Sequence, residues 1–370
     1  MTQRAPAEVG MRVEEVDTPA LLLDLDAFET NLARLAQAVG KRVRVRAHAK
    51  THKCPDIGRR QVAAGAVGLC CQKVSEAEAM VEGGIGDVLV TNEIVGAGKL
   101  ERLAALAKRA RIGVCVDDAG NVRDLQAAAA RAGASIDVYL ELEVGMRRCG
   151  VAPGEPALAL ARAVAASPAL RFAGLHAYHG RAQHLRSMDE RRAVIGSAAA
   201  SVRATRALLE KNGIACPVVT GAGTGTFMLE VELGAWDEIQ PGSYVFMDWD
   251  YARNEWAPPM PRFEHSLFVL ATVMSRSGSR AIVDAGLKAS SVDSGMPAVW
   301  ERPGLSYSHA SDEHGFVEIA AGAAAPGLGD KLLLVPGHCD PTVNLYDWYV
   351  CVRGGVVEAL WPITARGALA

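Results

Sequence analysis

Residues 43–53 read VRVRAHAKTHK, a stretch that alternates β-branched with basic residues and ends near a lysine flanked by histidines. Such alternation is typical of a strand. Seven further strand-like runs follow it, most of them separated by helical stretches rich in alanine, leucine, arginine and glutamate. The predicted strands are Val43–Lys50, Ala66–Gln72, Asp87–Glu93, Arg111–Asp118, Ile136–Val144, Phe172–Gly180, Pro217–Gly225 and Glu238–Phe246.

Strands that alternate with helices over roughly 210 residues predict a (β/α)8 TIM barrel, with an open doubly wound sheet as the alternative. From about Phe263 the pattern changes to short strands joined by turns of glycine, proline and aspartate, and Gly354-Gly355 is typical of a hairpin. We therefore expect an α/β protein with a leader at residues 1–17, a barrel at 18–255 and a mostly β C-terminal domain at 263–370.

The segment before the barrel pattern also has a recognisable structure. Thr18–Leu25 is predicted to be a strand, because it contains a continuous apolar run. Asp26 is predicted to cap a helix that ends near Val39, with apolar positions at helical spacing along it.

Composition excludes several classes of partner. The 370 residues carry a formal net charge of −3 and no long basic run, which argues against nucleic-acid binding. Apolar runs are far shorter than the ~20 residues that span a membrane, and the N-terminus lacks an apolar signal core. We expect a cytoplasmic protein whose eight cysteines, none in C-x-x-C spacing, are reduced.

Lys50 is the first candidate catalytic residue. An ammonium at the end of a buried strand is unfavourable, because desolvation disfavours the charged form. A neutral amine can form a Schiff base with an aldehyde, and pyridoxal phosphate (PLP) is the aldehyde that most often requires such a lysine. The alternative at this point is a surface lysine at the start of a loop.

Polar residues follow every predicted barrel strand, as they do at the active-site end of TIM barrels. The seventh strand ends in TGAGTGT, residues 220–226, and the eighth is followed by Gly242-Ser243-Tyr244. Glycine allows backbone N–H groups to approach an anion, and barrels commonly bind phosphate after these two strands. The run predicts a phosphate site, with a tight turn as the alternative.

His338 and Asp340 form a second signal, in the C-terminal domain. At positions i and i+2 of an extended segment their side chains point to one side, where they could bind a divalent metal. The alternative is a turn with two surface residues. Three further histidines, His176, His179 and His184, lack the spacing of a zinc site, so a single acid–base histidine among them is the simpler interpretation.

Taken together, these motifs resemble one family. The resemblance runs from about Thr18 to the C-terminus and is to metal-activated PLP enzymes of the D-threonine aldolase and 3-hydroxy-D-aspartate aldolase group. That group has the alanine racemase-like fold (PLP fold type III) and is related to D-serine dehydratase. The matching segments, in chain order, are HAKTHK (48–53), CCQKVSE (70–76), RCG (148–150), AYHG with QH (177–184), GTG (223–225), GSY (242–244), DEHG (312–315) and HCDP (338–341).

The resemblance implies roles for individual residues. Lys50 corresponds to the Schiff-base lysine, Arg148 to the arginine at the pyridine nitrogen and Tyr178 to the tyrosine near the ring. His184 corresponds to the histidine that handles the substrate hydroxyl proton, and the metal ligands would be His338 and Asp340. The full set of expected cofactor-binding residues is Lys50, Gln72, Arg148, Tyr178, Thr220, Gly223, Thr224, Gly225, Gly242, Ser243 and Tyr244.

The resemblance also implies an activity: PLP- and metal-dependent retro-aldol cleavage of D-3-hydroxy amino acids such as D-threonine to glycine and an aldehyde. Asp340 stands where dehydratases of this fold carry cysteine, which favours cleavage over water elimination. The alternatives are 3-hydroxy-D-aspartate cleavage to glycine and glyoxylate, a D-serine or 3-hydroxyaspartate dehydratase and, less expected, an amino-acid racemase or a non-catalytic PLP carrier. We expect a homodimer and Mn²⁺, with Mg²⁺ or Zn²⁺ as alternatives.

Overall fold

The computed structural model describes residues 4–370. After a 3-10 turn at Val13–Glu15, its first elements are strand β1 (Ala20–Asp24) and helix α1 (Leu25–Val39). Eight parallel strands then close a barrel. These strands are β2 (Arg44–His48), β3 (Gly68–Cys71), β4 (Asp87–Glu93), β5 (Arg111–Val116), β6 (Ile136–Glu141), β7 (Leu170–Ala177), β8 (Val218–Gly221) and β9 (Glu238–Ile239). Each lies within or overlaps a predicted strand, so the TIM barrel prediction is confirmed.

Seven helices accompany the barrel strands, and α5 illustrates why they form. Asp118 caps its first turn by accepting hydrogen bonds from two backbone N–H groups, and Gly133, at φ +60°, follows its last residue. Its apolar face is buried at Leu125, Ala128 and Ala129, which have helical spacing. The seven helices are α2 (Pro55–Ala63), α3 (Val74–Glu82), α4 (Ala97–Leu106), α5 (Ala119–Ala132), α6 (Glu155–Ala165), α7 (Met188–Lys211) and α8 (Phe227–Leu233).

Beyond the barrel the chain is mostly β, as expected. Two short helices, α9 (Trp249–Ala252) and α10 (Cys339–Val343), interrupt it. The predicted hairpin turn at Gly354-Gly355 joins the last two strands, with both glycines at positive φ. The strands are β10 (Leu267–Ser277), β11 (Arg280–Val283), β12 (Ala298–Val299), β13 (Leu305–Ala310), β14 (Gly315–Ile319), β15 (Lys331–Val335), β16 (Trp348–Arg353) and β17 (Val356–Pro362).

Strand β1 belongs to this second sheet, although it precedes the barrel in sequence. It pairs antiparallel with β10 and parallel with β16, in the sheet order β13-β14-β11-β10-β1-β16-β17. Residues 20–24 therefore lie outside the barrel, contrary to the boundary expected at residue 18. The reason is that the apolar residues of β1 are buried on both faces of the sheet, as a central strand requires. Of the expected leader, residues 1–3 lie outside the described part of the chain.

Helix α1 begins one residue before the predicted cap. The structure places the cap at Asp24, whose carboxylate accepts a hydrogen bond from Ala27 N at 3.0 Å, and Asp26 lies inside the first turn. The prediction of Asp26 as the cap is wrong, and the prediction of an end at Val39 is confirmed. No helix within residues 4–370 combines the length and apolarity needed to cross a bilayer.

Candidate active site

A cavity of about 250 Å³ opens at the carboxyl ends of the barrel strands. TIM barrels carry their active sites at this end. Seven of the eight barrel strands contribute to its wall at or after their carboxyl ends; β5 does not. The lining residues are His48, Lys50, Thr51, Gln72, Thr91, Met146, Arg148, His176, Tyr178, Gly180, Arg181, His184, Ala222, Gly223, Thr224, Gln240, Gly242, Ser243 and Tyr251.

Lys50 lies in a 3-10 turn directly after β2 and faces this cavity. Its Nζ is 3.1 Å from Oδ2 of Asp340, which comes from the C-terminal domain of the same chain. The charge of Asp340 raises the pKa of Lys50 although burial opposes the shift, so the cofactor-free chain holds an ammonium. The carboxylate partner offsets the desolvation cost that the sequence argument attached to an ammonium at this position.

Two glycine loops form a cradle beside Lys50. The backbone N–H groups of Gly223, Thr224, Gly242 and Ser243 donate to no acceptor within residues 4–370. A Cβ on Gly242 would stand 2.6 Å from Oγ1 of Thr51, so the backbone reaches this approach only as glycine. Free N–H groups that converge in a concave loop bind anions. The cradle therefore fits the phosphate of the predicted cofactor.

Three of the residues expected to bind the cofactor do not line the cavity. Thr220 is buried below it, where its hydroxyl donates to Glu238 at 2.9 Å and accepts from Gln240 at 2.8 Å. Gly225 supports the cradle from behind, with its N–H donating to Oε1 of Gln183 at 2.9 Å. Tyr244 is 2 % exposed and donates its backbone N–H to Thr224. These residues hold the cradle in place from the barrel interior.

Gln72 also lines the cavity. Its Nε2 is 3.1 Å from both Nε2 of His48 and Oγ1 of Thr91. Burial lowers the pKa of His48 well below its ordinary value, and the neighbouring Lys50 adds to this shift. His48 is therefore a neutral member of a hydrogen-bonded wall.

Arg148 and Tyr178 lie together on another side of the cavity. The guanidinium carbon of Arg148 is 5.8 Å from the centroid of the Tyr178 ring, and a guanidinium nitrogen is 4.0 Å from Oε1 of Glu141. The other oxygen of Glu141 forms a hydrogen bond with Nδ1 of His176. A carboxylate and an aromatic face thus hold this arginine in the cavity wall, where it could contact a planar cofactor.

His184 is the histidine of the predicted trio that remains available for proton transfer. Its Nδ1 is 2.7 Å from Oδ2 of Asp250, while Nε2 has no hydrogen-bond partner within residues 4–370. In contrast, both ring nitrogens of His176 are bonded, to Glu141 and Gln240. His179 caps its own turn by accepting from Ala182 N at 3.2 Å.

His338 and Asp340 come to the site in a different conformation from the one predicted. Only His338 is extended; it is the N-cap of α10, and Asp340 lies in the first turn of that helix. Burial opposes ionisation of Asp340, but the charges of Lys50 and His338 outweigh it and lower the pKa of this carboxyl to about 2. The premise of an extended pair is wrong, because the chain turns into a helix after His338.

These two residues fit a divalent cation. Oδ1 of Asp340 is buried without a hydrogen-bond partner within the described residues, as a carboxylate oxygen reserved for a cation would be. His338 Nδ1 is 2.8 Å from Oδ2 of Asp293. A carboxylate on one imidazole nitrogen commonly orients the other toward a metal.

Among the residues of this site that sequence reasoning missed are Asp250 and Asp293. Asp250 follows the last barrel strand and is 66 positions from His184; Asp293 is 45 positions from His338. Neither lies in a motif with recognisable spacing, since each acts through a tertiary contact. The aromatic neighbour Tyr251, whose ring centroid is 5.4 Å from that of His184, was missed for the same reason.

Comparison with known proteins agrees with this architecture. Residues 23–249 match the family described as alanine racemase, N-terminal domain, and residues 266–352 match a putative serine dehydratase domain. The chain is 51 % identical to a D-threonine aldolase of an Arthrobacter species, covering 98 % of this chain and 96 % of that protein. It is 47 % identical to a 3-hydroxy-D-aspartate aldolase of Paracoccus denitrificans strain Pd 1222, with coverages of 98 % and 95 %.

A solved structure is also closely similar. The D-threonine aldolase from Filomicrobium marinum superposes with a TM-score of 0.97 at 54 % identity, over 99 % of this chain and 100 % of that one. A closed barrel with a lysine-centred cavity and an appended β domain defines the alanine racemase-like class, and the chain belongs to it. Within that class it is a member of the D-threonine aldolase and 3-hydroxy-D-aspartate aldolase family, as the sequence motifs indicated.

Proposed function

We propose that this protein is an aldehyde-lyase that cleaves D-3-hydroxy amino acids to glycine and an aldehyde, using PLP and a divalent metal. One observation carries the proposal: an amine and an acid–base histidine line one cavity, and a candidate metal-binding carboxylate of the C-terminal domain contacts that amine. Lys50 is 3.1 Å from Asp340, and His184 lies in the same cavity wall as Lys50. Membership of the aldolase family supports the same reaction.

One of the chain's own residues accounts for the first proton movement of this reaction. Because His184 Nδ1 donates to Asp250, the neutral ring leaves Nε2 free to accept the proton of the substrate β-hydroxyl. As that proton leaves, the Cα–Cβ bond breaks and the β-carbon becomes an aldehyde. The electron pair stays at Cα, and protonation there gives glycine. PLP, which Lys50 would hold in the absence of substrate, would supply the electron sink for that pair.

His338 and Asp340 would hold the divalent cation, for which we propose Mn²⁺. Such a cation supplies Lewis-acid polarisation of the substrate hydroxyl. Both ligands come from the chain that carries Lys50, since Asp340 contacts that lysine directly. We therefore propose that one subunit supplies both the amine and the candidate metal ligands. We also propose a cytoplasmic homodimer, to be tested by sedimentation and fractionation.

Product identification tests the proposed reaction. The protein is incubated with PLP, Mn²⁺ and D-threonine, with and without a chelator, and the products are separated. We expect equal amounts of glycine and acetaldehyde, formed only without chelator. Ammonia and a 2-oxo acid would instead establish a dehydratase, and epimerised threonine a racemase. A protein that binds PLP but converts no β-hydroxy D-amino acid would be a carrier.

The metal assignment predicts the behaviour of Asp340→Ala. We expect this variant to retain the visible absorption of bound PLP, because Lys50 is intact. Its activity should fall by on the order of 10²- to 10³-fold, since the Lewis-acid contribution is lost. It should also cease to respond to added Mn²⁺. The matched control is chelator-treated wild type, which should behave alike; unchanged, metal-dependent activity of the variant would refute the assignment.

A further inference from the structure

The cavity wall is strongly biased in charge. Three side-chain cations line it, Lys50, Arg148 and Arg181, and among the described residues no carboxylate does. The backbone N–H groups of the glycine cradle can bind the cofactor phosphate, so that phosphate does not need a side-chain cation. The bias indicates that the wall binds anionic groups of the substrate.

Arg181 differs from the other two cations because it has no partner. Lys50 pairs with Asp340 at 3.1 Å, and Arg148 lies 4.0 Å from Glu141 and over the Tyr178 ring. Within residues 4–370, Arg181 forms no hydrogen bond and no ion pair. Its guanidinium thus retains its full capacity for a bidentate contact with a carboxylate.

The position of Arg181 follows from the turn that carries it. Gly180–His184 is a 3-10 turn, in which residues i and i+3 eclipse one another. Arg181 and His184 are such a pair, and both line the cavity. The turn is held rigidly, because Gln183 is fully buried and its amide bonds to Thr226 at 2.8 Å and to Gly225 N at 2.9 Å.

We propose that Arg181 binds a carboxylate on the β-carbon of the substrate, so that this chain prefers acidic substrates of the 3-hydroxy-D-aspartate type over D-threonine. The inference rests on the proposed function, in which His184 takes the proton from the hydroxyl of that same carbon. A cation one turn from the base, on the same cavity wall, can reach the other substituent of the β-carbon. D-Threonine offers only a methyl group there and leaves the guanidinium without a partner.

Kinetics on the holoenzyme test this assignment with the variant Arg181→Met, which keeps an unbranched side chain and removes the charge. A charge-assisted hydrogen bond contributes a factor of about 10 to 100 in binding. We expect kcat/KM for 3-hydroxy-D-aspartate to fall by about that factor, and kcat/KM for D-threonine to change by less than about threefold. Arg109→Met is the matched control and should change neither, because this arginine is exposed and its side chain has no partner among residues 4–370.

Three results would overturn the proposal. An equal loss on both substrates would place Arg181 at the α-carboxylate, and weaker PLP binding in the variant would place it at the phosphate. If kcat/KM changed for neither substrate, Arg181 would be an ordinary surface residue.

A binding measurement separates this proposal from the proposed reaction. D-Aspartate carries the second carboxylate but no β-hydroxyl, so it can occupy the site without being cleaved. We expect it to perturb the visible spectrum of the bound cofactor at lower concentration than D-alanine does, and this preference to disappear in Arg181→Met. If the preference holds while no substrate is cleaved, the lyase reaction fails and the carboxylate site stands. If cleavage occurs without the preference, the site fails and the reaction stands.

Discussion

Asp250 is the residue on which the orientation of His184 depends. Burial opposes its ionisation, but hydrogen bonds from Arg186, His184 and Arg253 outweigh burial and lower the pKa of this carboxyl. Asp250 is therefore charged across the neutral range and accepts from His184 Nδ1. That contact selects the tautomer with a free Nε2, as carboxylates do for catalytic histidines in general.

Asp250→Asn should consequently impair catalysis while leaving cofactor binding intact. The new amide can donate to Nδ1, which moves the ring proton to Nε2 and removes the base from the cavity. We expect kcat to fall by on the order of 10²-fold, a typical general-base contribution, with little change in the visible spectrum of PLP. Asp124→Asn, an exposed aspartate in α5, is the control and should retain full activity. Undiminished kcat in Asp250→Asn would show that His184 does not need this partner.

Burial also changes the pKa of a carboxyl group at Glu230. It lies in α8 behind the phosphate cradle, where Oε1 accepts from Thr226 at 2.8 Å and Oε2 has no partner within the described residues. Burial raises the pKa of Glu230 from 4.5 to about 7. The folded chain then binds this proton more tightly than the unfolded chain, so the free energy of unfolding falls as pH rises through that interval.

Glu230→Gln should remove this pH-dependent penalty. We expect the cofactor-free variant to gain roughly 3 kcal/mol over wild type at pH 8 and little at pH 4.5, where the wild-type carboxyl is already neutral. Chemical denaturation at both pH values measures the difference. Glu232→Gln, an exposed residue of the same helix, should not show it. A gain of equal size at both pH values would mean that ionisation is not its cause.

At the scale of elements, the barrel could be predicted because its strands have a local signal. Each is a short apolar run ending in polar residues, and this pattern does not depend on distant partners. The C-terminal strands have a weaker local signal; the pairing of β13, for example, is irregular between Tyr307 and His309. The helical turn at Asp340 was missed because a two-residue spacing is compatible with both an extended segment and a turn.

The phosphate cradle depends on a neighbouring turn, which supports it from behind. A Cβ on Gly225 would lie 2.5 Å from the backbone oxygen of Gln183, and backbone cannot move aside as a side-chain tip can. We expect Gly225→Ala to destabilise the chain by about 1–3 kcal/mol and to weaken PLP binding at least about tenfold. Spectral titration with PLP and chemical denaturation measure these effects.

Gly196→Ala is the matched control for that substitution. Gly196 lies within α7, and a Cβ there would meet no atom within 4 Å. Alanine should therefore stabilise the helix by about 0.5–1 kcal/mol and leave cofactor binding unchanged. If Gly225→Ala bound PLP as tightly as this control does, the cradle would not require the close approach of the two loops.

At the scale of the whole molecule, strand β1 joins the two domains. It lies in the centre of the C-terminal sheet, and α1, which follows it directly, leads into the barrel. The second domain therefore has its central strand at one end of the chain and Asp340 near the other. The sequence could indicate a strand at this position, but its partners are more than 240 residues away, and local patterning carries no information about them.

Leu23→Ala tests whether this strand makes the domains unfold together. Leu23 is fully buried and lies opposite Leu267 on one neighbouring strand and Cys351 on the other. Truncating a buried leucine costs about 2–5 kcal/mol. We expect the denaturant midpoint to fall equally for PLP release, which reports on the barrel, and for hydrogen exchange in β10 and β16. Leu369→Ala, at an exposed position, should shift neither probe. A loss of protection in the C-terminal sheet alone, with PLP release unchanged, would mean that the metal-bearing domain can open while the barrel keeps its cofactor.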